Sequence, residues 1–392
     1  MARARTVLIA GAGIGGLSAA IALARAGFRP LVLERARELA EIGAGIQLTP
    51  NASRALDKLG VLAAMKKRAV MARRVIVGCG RSGSTLAESS LDDAETRFGA
   101  PWLVTLRADL QRVLLEAAQD IVDIEFIHGA EVTDFAAHTR GTTALVTRNG
   151  RSEEEFGIAL IGADGLWSKM RARLHGEAAP IFHDLVAWRA LVPARDLPPV
   201  FSQPVTRLWL GPKAHLVHYP VKGGEQINVV AIFRDNWRAE SWSEPATISE
   251  MPKLFARWSH MPRDLLAAAK SFQRWALADR EPLKQWGEGR VTLLGDAAHP
   301  MLPTLAQGAG AAFEDAVAIA RHLAHRDDPA DAFRAYEAER EPRTTKMQRG
   351  ARFNARIYHA GGPLRWARDL KLRWDGERLI DRNAWIYRYR PS

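Results

Sequence analysis

The chain has 392 residues, 47% hydrophobic and 25% charged, an ordinary globular composition long enough for two or three domains with sizeable cores. Its 55 Lys and Arg against 44 Asp and Glu leave a formal charge of +11, but the cations are scattered and the densest short run is "MKKR" at 65–68, which argues against a nucleic-acid stripe and favours steering of small anions. A single cysteine, Cys79, excludes an internal disulfide and a cysteine-cluster metal site and suits a reducing cytoplasm.

The N-terminal "MARARTVLIAGAGIGGLSAAIALARAG" imitates a secretory signal, with a basic start and an uncharged stretch from Thr6 to Ala24. Gly11, Gly13, Gly15 and Gly16 argue otherwise, since each costs a short apolar helix about 1 kcal/mol relative to Ala. Neither a targeting segment nor a membrane-spanning helix is expected. The same residues predict a strand "TVLIA", a turn "GAGIGG" and a helix "LSAAIALARAG", then a second strand ending in Glu34 and Arg35. Gly11 permits the tight turn, Gly13 lets the backbone approach a pyrophosphate, and Gly16 lets helix and sheet pack closely. The helix N-terminus, opening at Ile14 and Gly15, offers free N–H groups to phosphate. Glu34, eighteen residues after Gly16, stands where a carboxylate meets the ribose hydroxyls of an adenosine.

A second G-x-G-x-x-G match, Gly78, Gly80 and Gly83, is followed by the Ser-rich "STLAESSLDD", which lacks an apolar helical stripe; a hairpin is predicted there. Farther on come "LRADLQRVLLEAA" with Arg107 and Gln111, a strand-like run leading into "LIGADGLWSKMR" with Asp164, and "AHLVHYP". On an extended strand His215, Val217 and Tyr219 share a face and His218 points the other way. The stretch "GDAAHPMLPTLAQGAG" at 295–310 then joins an acid, a histidine and three glycines to the helical "AAFEDAVAIARHLA".

Taken together, "GAGIGG", "GAGIQLTPNASRALDKLG", Gly162-Ala163-Asp164-Gly165, "AWRALVP" and "GDAAHPMLPTLAQGAG" resemble the flavin-dependent aromatic hydroxylases, the single-component monooxygenases that include salicylate hydroxylase. The resemblance implies an α/β chain: a Rossmann-like FAD-binding domain of the aromatic-hydroxylase type, a sheet-rich substrate domain and a helical C-terminal segment. It implies FAD as cofactor and NADH or NADPH as transient electron donor. Asp296 is expected at the ribityl chain, with Gln47, Arg107, Asp164, Pro303, Gly308, Ala309 and Gly310 completing the cofactor contacts. Gln47 is also a polar contact for the substrate pocket. His215 and Tyr219 are the expected catalytic pair, with His215 suited to accept a phenol proton; the alternative is a strand histidine bonded for structure. For His299, before a proline, ordering of the flavin loop is the expected role.

No metal site is expected, and no nucleophile elbow is present. The expected partners are a small aromatic acid and O2, without nucleic acid or membrane, on a cytoplasmic monomer or homodimer. The apolar Met301-Leu302-Pro303-Thr304 stretch favours salicylate, converted to catechol with loss of CO2. Hydroxylation of 3-hydroxybenzoate or hydroxynicotinate is the alternative, and a flavin reductase or oxidase without hydroxylation is the alternative of another class. Residues 1–72, 100–178 and 272–350 are assigned to the FAD-binding domain, 73–99 and 179–271 to the substrate domain, and 351–392 to the C-terminal segment. There Trp366 and Trp374 are expected to bury their indoles in a dimer or domain seam.

Overall fold

The computed structural model describes residues 5–39, 44–237, 244–251 and 253–391; Gly43, which opens the quoted 43–60 stretch, lies outside them. Five parallel strands form one sheet in the order Val291–Leu293, Ala159–Gly162, Thr6–Ala10, Arg29–Glu34, Glu125–His128. The first four are apolar and almost wholly buried, as strands are when helices cover a parallel sheet. Helices Ile14–Arg25 and Gly308–Ala324 pack on one another, and Arg107–Gln119 packs on the first. The first helix stops where Gly27 turns left-handed at φ +82°, with the Phe28 N–H donating to the Leu23 carbonyl at 3.0 Å. That closure lets the chain return directly into the next parallel strand.

A second sheet has eight strands in the order Glu244–Ala246, Phe272–Asp279, Ile181–Pro193, Gln226–Arg234, Ala214–Val221, Val205–Gly211, Arg74–Cys79, Thr85–Ser90. All its pairs are antiparallel except Val205–Gly211 with Arg74–Cys79. Alternation along these strands splits the sheet into two apolar faces. Trp188, Trp209, Leu216, Val229, Phe233 and Phe272 point to the rear, onto a small helical layer containing Phe255, Trp258 and Leu265. Leu185, Ala187, Ile232 and Leu277 point to the front, onto Leu302, Ala351 and Ala355 of the cofactor-binding half.

The hairpin predicted at Gly78–Gly83 is present, joining Arg74–Cys79 to Thr85–Ser90. A Cβ at Gly78 would stand 2.6 Å from the Trp209 ring, and one at Gly80 2.6 Å from Trp258, so these glycines answer to indole packing. Two boundaries and one burial differ from expectation. Strand Phe272–Asp279, assigned from sequence to the cofactor domain, is bonded into the large sheet because its buried residues pair with Ile181–Pro193. Helix Pro329–Tyr358 runs unbroken through residue 350. Trp366 and Trp374 are 70% and 87% exposed, so neither indole lies in a seam of this chain; the C-terminal segment docks through Leu372, Ile380, Ile386 and Tyr387.

Candidate active site

The glycine turn is shaped by close approach. Gly11, at φ +103°, leaves 2.7 Å between a would-be Cβ and the Ala163 carbonyl, and a Cβ at Gly16 would meet the Gly11 carbonyl at 1.9 Å. Gly13 has nothing within 4 Å of its Cβ position, which is the open side. Helix Ile14–Arg25 begins there with no side-chain cap and no acid in its first turn, so its N–H groups remain for an anion. Both Glu34 oxygens accept backbone N–H groups, one from Ala12 of this loop at 2.6 Å and the other from Ala36, just past its own strand, at 2.8 Å. A carboxylate has about four acceptor positions, so two stay free for ribose hydroxyls. Arg35 is exposed just beyond the strand. Asp164 faces Gly11, its Cα 3.3 Å from that glycine's Cβ position; its Oδ2 accepts the Met170 N–H at 3.2 Å, and its buried Oδ1 has no partner.

Residues 295–310 wrap the C-terminal end of strand Val291–Leu293. Asp296 is accessible, yet desolvation by its surroundings pushes its carboxyl pKa up, offset in part by the charges of Arg107 and His299. Gly308 brings its Cβ position to 3.9 Å from Asp296 Oδ1 and starts helix Gly308–Ala324, which has no side-chain cap. Ala309 is half-buried in that first turn, Gly310 is buried against Ala52 and Asn51, and Pro303 is exposed at the head of a 3-10 turn. Ala306, at φ +53°, is left-handed without being glycine, which marks a loop held by its surroundings.

Those surroundings are ionic and fully buried. His299 Nε2 lies 2.6 Å from Asp315 Oδ2, the ordering role expected of it. The Gly295 N–H donates to the same carboxylate at 3.1 Å. Arg340 joins Asp315 at 2.8 Å and Glu314 at 2.7 Å. Asn51 ties Glu314 to Gln307, and Gln307 donates to Thr49. Burial alone would raise the Asp315 pKa, but His299 and Arg340 hold it below the usual carboxylate range. Sequence reading missed Glu314, Asp315 and Arg340; the available signal was two acids inside the apolar run "AAFEDAVAIA".

Opposite this loop stands the front of the large sheet. His215 and Tyr219 do share that face, and His218 points to the rear against Phe201, at 5.3 Å between ring centroids. The two front residues stand apart, because four residues of strand span about 13 Å. His215 is 1% exposed, and its Nδ1 lies 2.7 Å from Nε2 of His359, at the end of helix Pro329–Tyr358. Burial, then the neighbouring His359, push its pKa well below the ordinary histidine value. Tyr219 is buried, which raises its phenol pKa, while the Arg189 charge opposes that shift. Asn228 on the same face accepts the Gly45 N–H at 2.7 Å and so docks strand Gly45–Leu48, which carries half-buried Gln47. Arg107 begins the helix after strand Leu103–Leu106, and its backbone N–H donates to the Ala44 carbonyl at 2.7 Å.

Two uncapped helix N-termini, an orphaned Asp164 oxygen and the accessible Asp296 make a long cradle that fits a flavin dinucleotide. Surface clefts elsewhere, such as the one holding Cys79, Trp366 and Arg373, share no residue with it. Among the described residues no group of three or more His, Cys, Asp or Glu is placed to hold a metal ion, and no helix is long and apolar enough to cross a membrane.

Comparison with known proteins agrees with this geometry. A family profile described as an FAD binding domain matches residues 4–351. The chain is 41% identical over 388 residues to a 3-hydroxybenzoate 6-hydroxylase of Polaromonas naphthalenivorans, covering 97% of this chain and 95% of that one. It is 38% identical over 390 residues to the 3-amino-4-hydroxybenzoate 2-monooxygenase PtmB3 of Streptomyces platensis, covering 98% and 96%. Among solved structures, Klebsiella pneumoniae HpxO complexed with FAD and uric acid superposes with a TM-score of 0.87 at 28% identity, covering 98% and 96% of the two chains. A salicylate hydroxylase substrate complex superposes with a TM-score of 0.84 at 26% identity, covering 99% and 96%.

Proposed function

The chain belongs to the FAD-binding family of flavin-dependent aromatic hydroxylases, and from that premise we propose that it uses FAD, NAD(P)H and O2 to hydroxylate 3-hydroxybenzoate at C6, yielding 2,5-dihydroxybenzoate. The observation that carries the substrate is the 41% identity, over 97% of the chain, to a 3-hydroxybenzoate 6-hydroxylase. Salicylate, favoured by the apolar 301–304 stretch, is less well supported, since the salicylate hydroxylase likeness stands at 26% identity. The stretch also has a structural reason to be apolar: Leu302 is 1% exposed in the seam with Ala187, Ile232 and Ala351.

Glu34 and the first helix N-terminus would hold the adenosine and pyrophosphate of FAD, Asp296 the ribityl chain, and the N-terminus of helix Gly308–Ala324 the polar edge of the ring. When bound, a flavin would supply the redox and O2 chemistry, with NAD(P)H as electron donor. The protein's part is binding, orientation and proton handling. His215 and His359 share one hydrogen bond, so the dyad has two tautomers. With His215 Nδ1–H donating to His359, His215 Nε2 is a free base. That nitrogen takes the phenolic proton, which raises electron density at the carbon para to the hydroxyl, C6. The low pKa of His215 keeps it in the basic form at neutral pH. The apolar seam of Met301, Leu302, Leu305 and Ile232 limits water.

NADH oxidation over a panel of hydroxybenzoates, with product and hydrogen peroxide quantified, tests the reading. Coupled formation of 2,5-dihydroxybenzoate without CO2 supports it. Catechol and CO2 from salicylate would restore that assignment, and peroxide alone would favour an oxidase.

A further inference from the structure

Three well-buried arginines of the cofactor-binding half are answered within the chain. Arg340 meets two carboxylates, Arg343 meets Glu314 at 2.8 Å, and Arg171 donates to the carbonyls of Ala297, Ala298 and Glu281 at 2.8–3.2 Å. Arg189 is not. It stands mid-strand in Ile181–Pro193, opposite Val230, in a register that gives it the same front face as Ala187, His215, Val217 and Tyr219. Its buried Nε has no hydrogen-bond partner, and its guanidinium carbon lies 4.9 Å from the centre of the Trp275 ring. No carboxylate among the described residues pairs with it. Burial lowers its pKa to about 10, with Tyr219 and Arg107 as its electrostatic neighbours.

A guanidinium held in an apolar sheet face without an anion costs stability unless an anion arrives. The aromatic-acid reading, on which this step rests, supplies one: the substrate carboxylate, on a ring whose hydroxyl must reach a base on the same face. We propose that Arg189 is the carboxylate anchor of the substrate pocket. Its planar fork matches a carboxylate bidentately, and Trp275 steadies it from one side. The FAD pyrophosphate is a poorer occupant, because the glycine turn that receives it belongs to the parallel sheet. Holding the ring by its carboxylate at Arg189 and by its hydroxyl at His215 favours an acid with the two groups spaced apart on the ring over one with them adjacent.

The test compares flavin-loaded wild type with Arg189→Met and Arg189→Lys, titrating 3-hydroxybenzoate and its neutral isostere 3-hydroxybenzamide and reading Kd from the flavin absorbance change. We expect wild type to prefer the acid, Arg189→Met to weaken acid binding by about 10²-fold and amide binding by less than about threefold, and Arg189→Lys to fall between. FAD content should be unchanged. Equal loss for both ligands, loss of FAD, or a wild type that binds amide and acid alike would overturn the anchor while leaving the hydroxylase reading in place. A wild type that binds neither, nor any other aromatic acid, would sink that reading and the anchor with it. Should Arg189→Met fail to fold, the Lys variant and the wild-type acid-to-amide ratio still decide.

Discussion

The flavin loop and the front of the large sheet meet at Leu302 and are built on opposite electrostatic rules. Behind the loop, the buried carboxylates Glu314 and Asp315 of helix Gly308–Ala324 have partners within the chain, from Arg340 and Arg343 to His299 and Asn51. On the sheet, Arg189 keeps a bare Nε, and the buried His215 is bonded only to another histidine. A cofactor that stays calls for a rigid frame behind the groups that meet it. A substrate that comes and goes is recognised by groups left wanting a partner.

The largest expected effect breaks the frame. Arg340→Met removes the cation shared by two fully buried carboxylates and should cost about 3–5 kcal/mol in denaturant unfolding. A loss under about 1 kcal/mol would mean that the network is incidental. On the sheet, His215→Ala should lower the coupled hydroxylation rate of the folded, flavin-loaded protein by about 10²-fold. A wild-type pH profile should stay flat from neutrality down past pH ~6.5, because a depressed pKa keeps the base deprotonated to lower pH. An acid limb at ~6.5 or above would remove His215 from the role.

His218, on the same strand but facing the rear, separates burial from chemistry. Desolvation, then Arg207, lower its pKa to about 3, whereas the unfolded chain protonates near ~6.5. Below ~6.5 the unfolded state therefore binds more protons, and stability falls with pH by about 1.4 kcal/mol per unit for this group. His218→Leu should flatten the stability curve between pH 6.5 and 5 by about 2 kcal/mol while leaving the hydroxylation pH profile unmoved. The smallest effect sharpens the cofactor side. Gly13→Ala meets nothing within 4 Å, so unfolding of flavin-free protein should not change, while FAD affinity falls by about tenfold. Equal destabilisation of flavin-free protein would show the turn to be merely structural.

The difference between the two regions also explains what the sequence disclosed. The glycine turn, Glu34, the Asp296 loop and the uncapped helix starts follow from local spacing, because each is a backbone geometry written in consecutive residues. The His215 face was legible from strand alternation. The His359 contact joins positions 144 residues apart and has no periodic signature. Arg189, one cation in the apolar "LVAWRALVP", was visible but unread, since its meaning lies in the missing counter-ion. Leu302 misled for the same reason: its apolarity belongs to a seam between halves. Trp366 and Trp374 lie outside every buried cluster of the chain, though their size alone suggested burial.

The most direct test of the account is a single-turnover reaction of the flavin-loaded enzyme with NADH and 3-hydroxybenzoate under ¹⁸O₂, with products identified by mass spectrometry. The account predicts 2,5-dihydroxybenzoate carrying one labelled oxygen atom at the new hydroxyl, with the carboxylate retained. Unlabelled product, or labelled hydrogen peroxide with 3-hydroxybenzoate recovered unchanged, would contradict it.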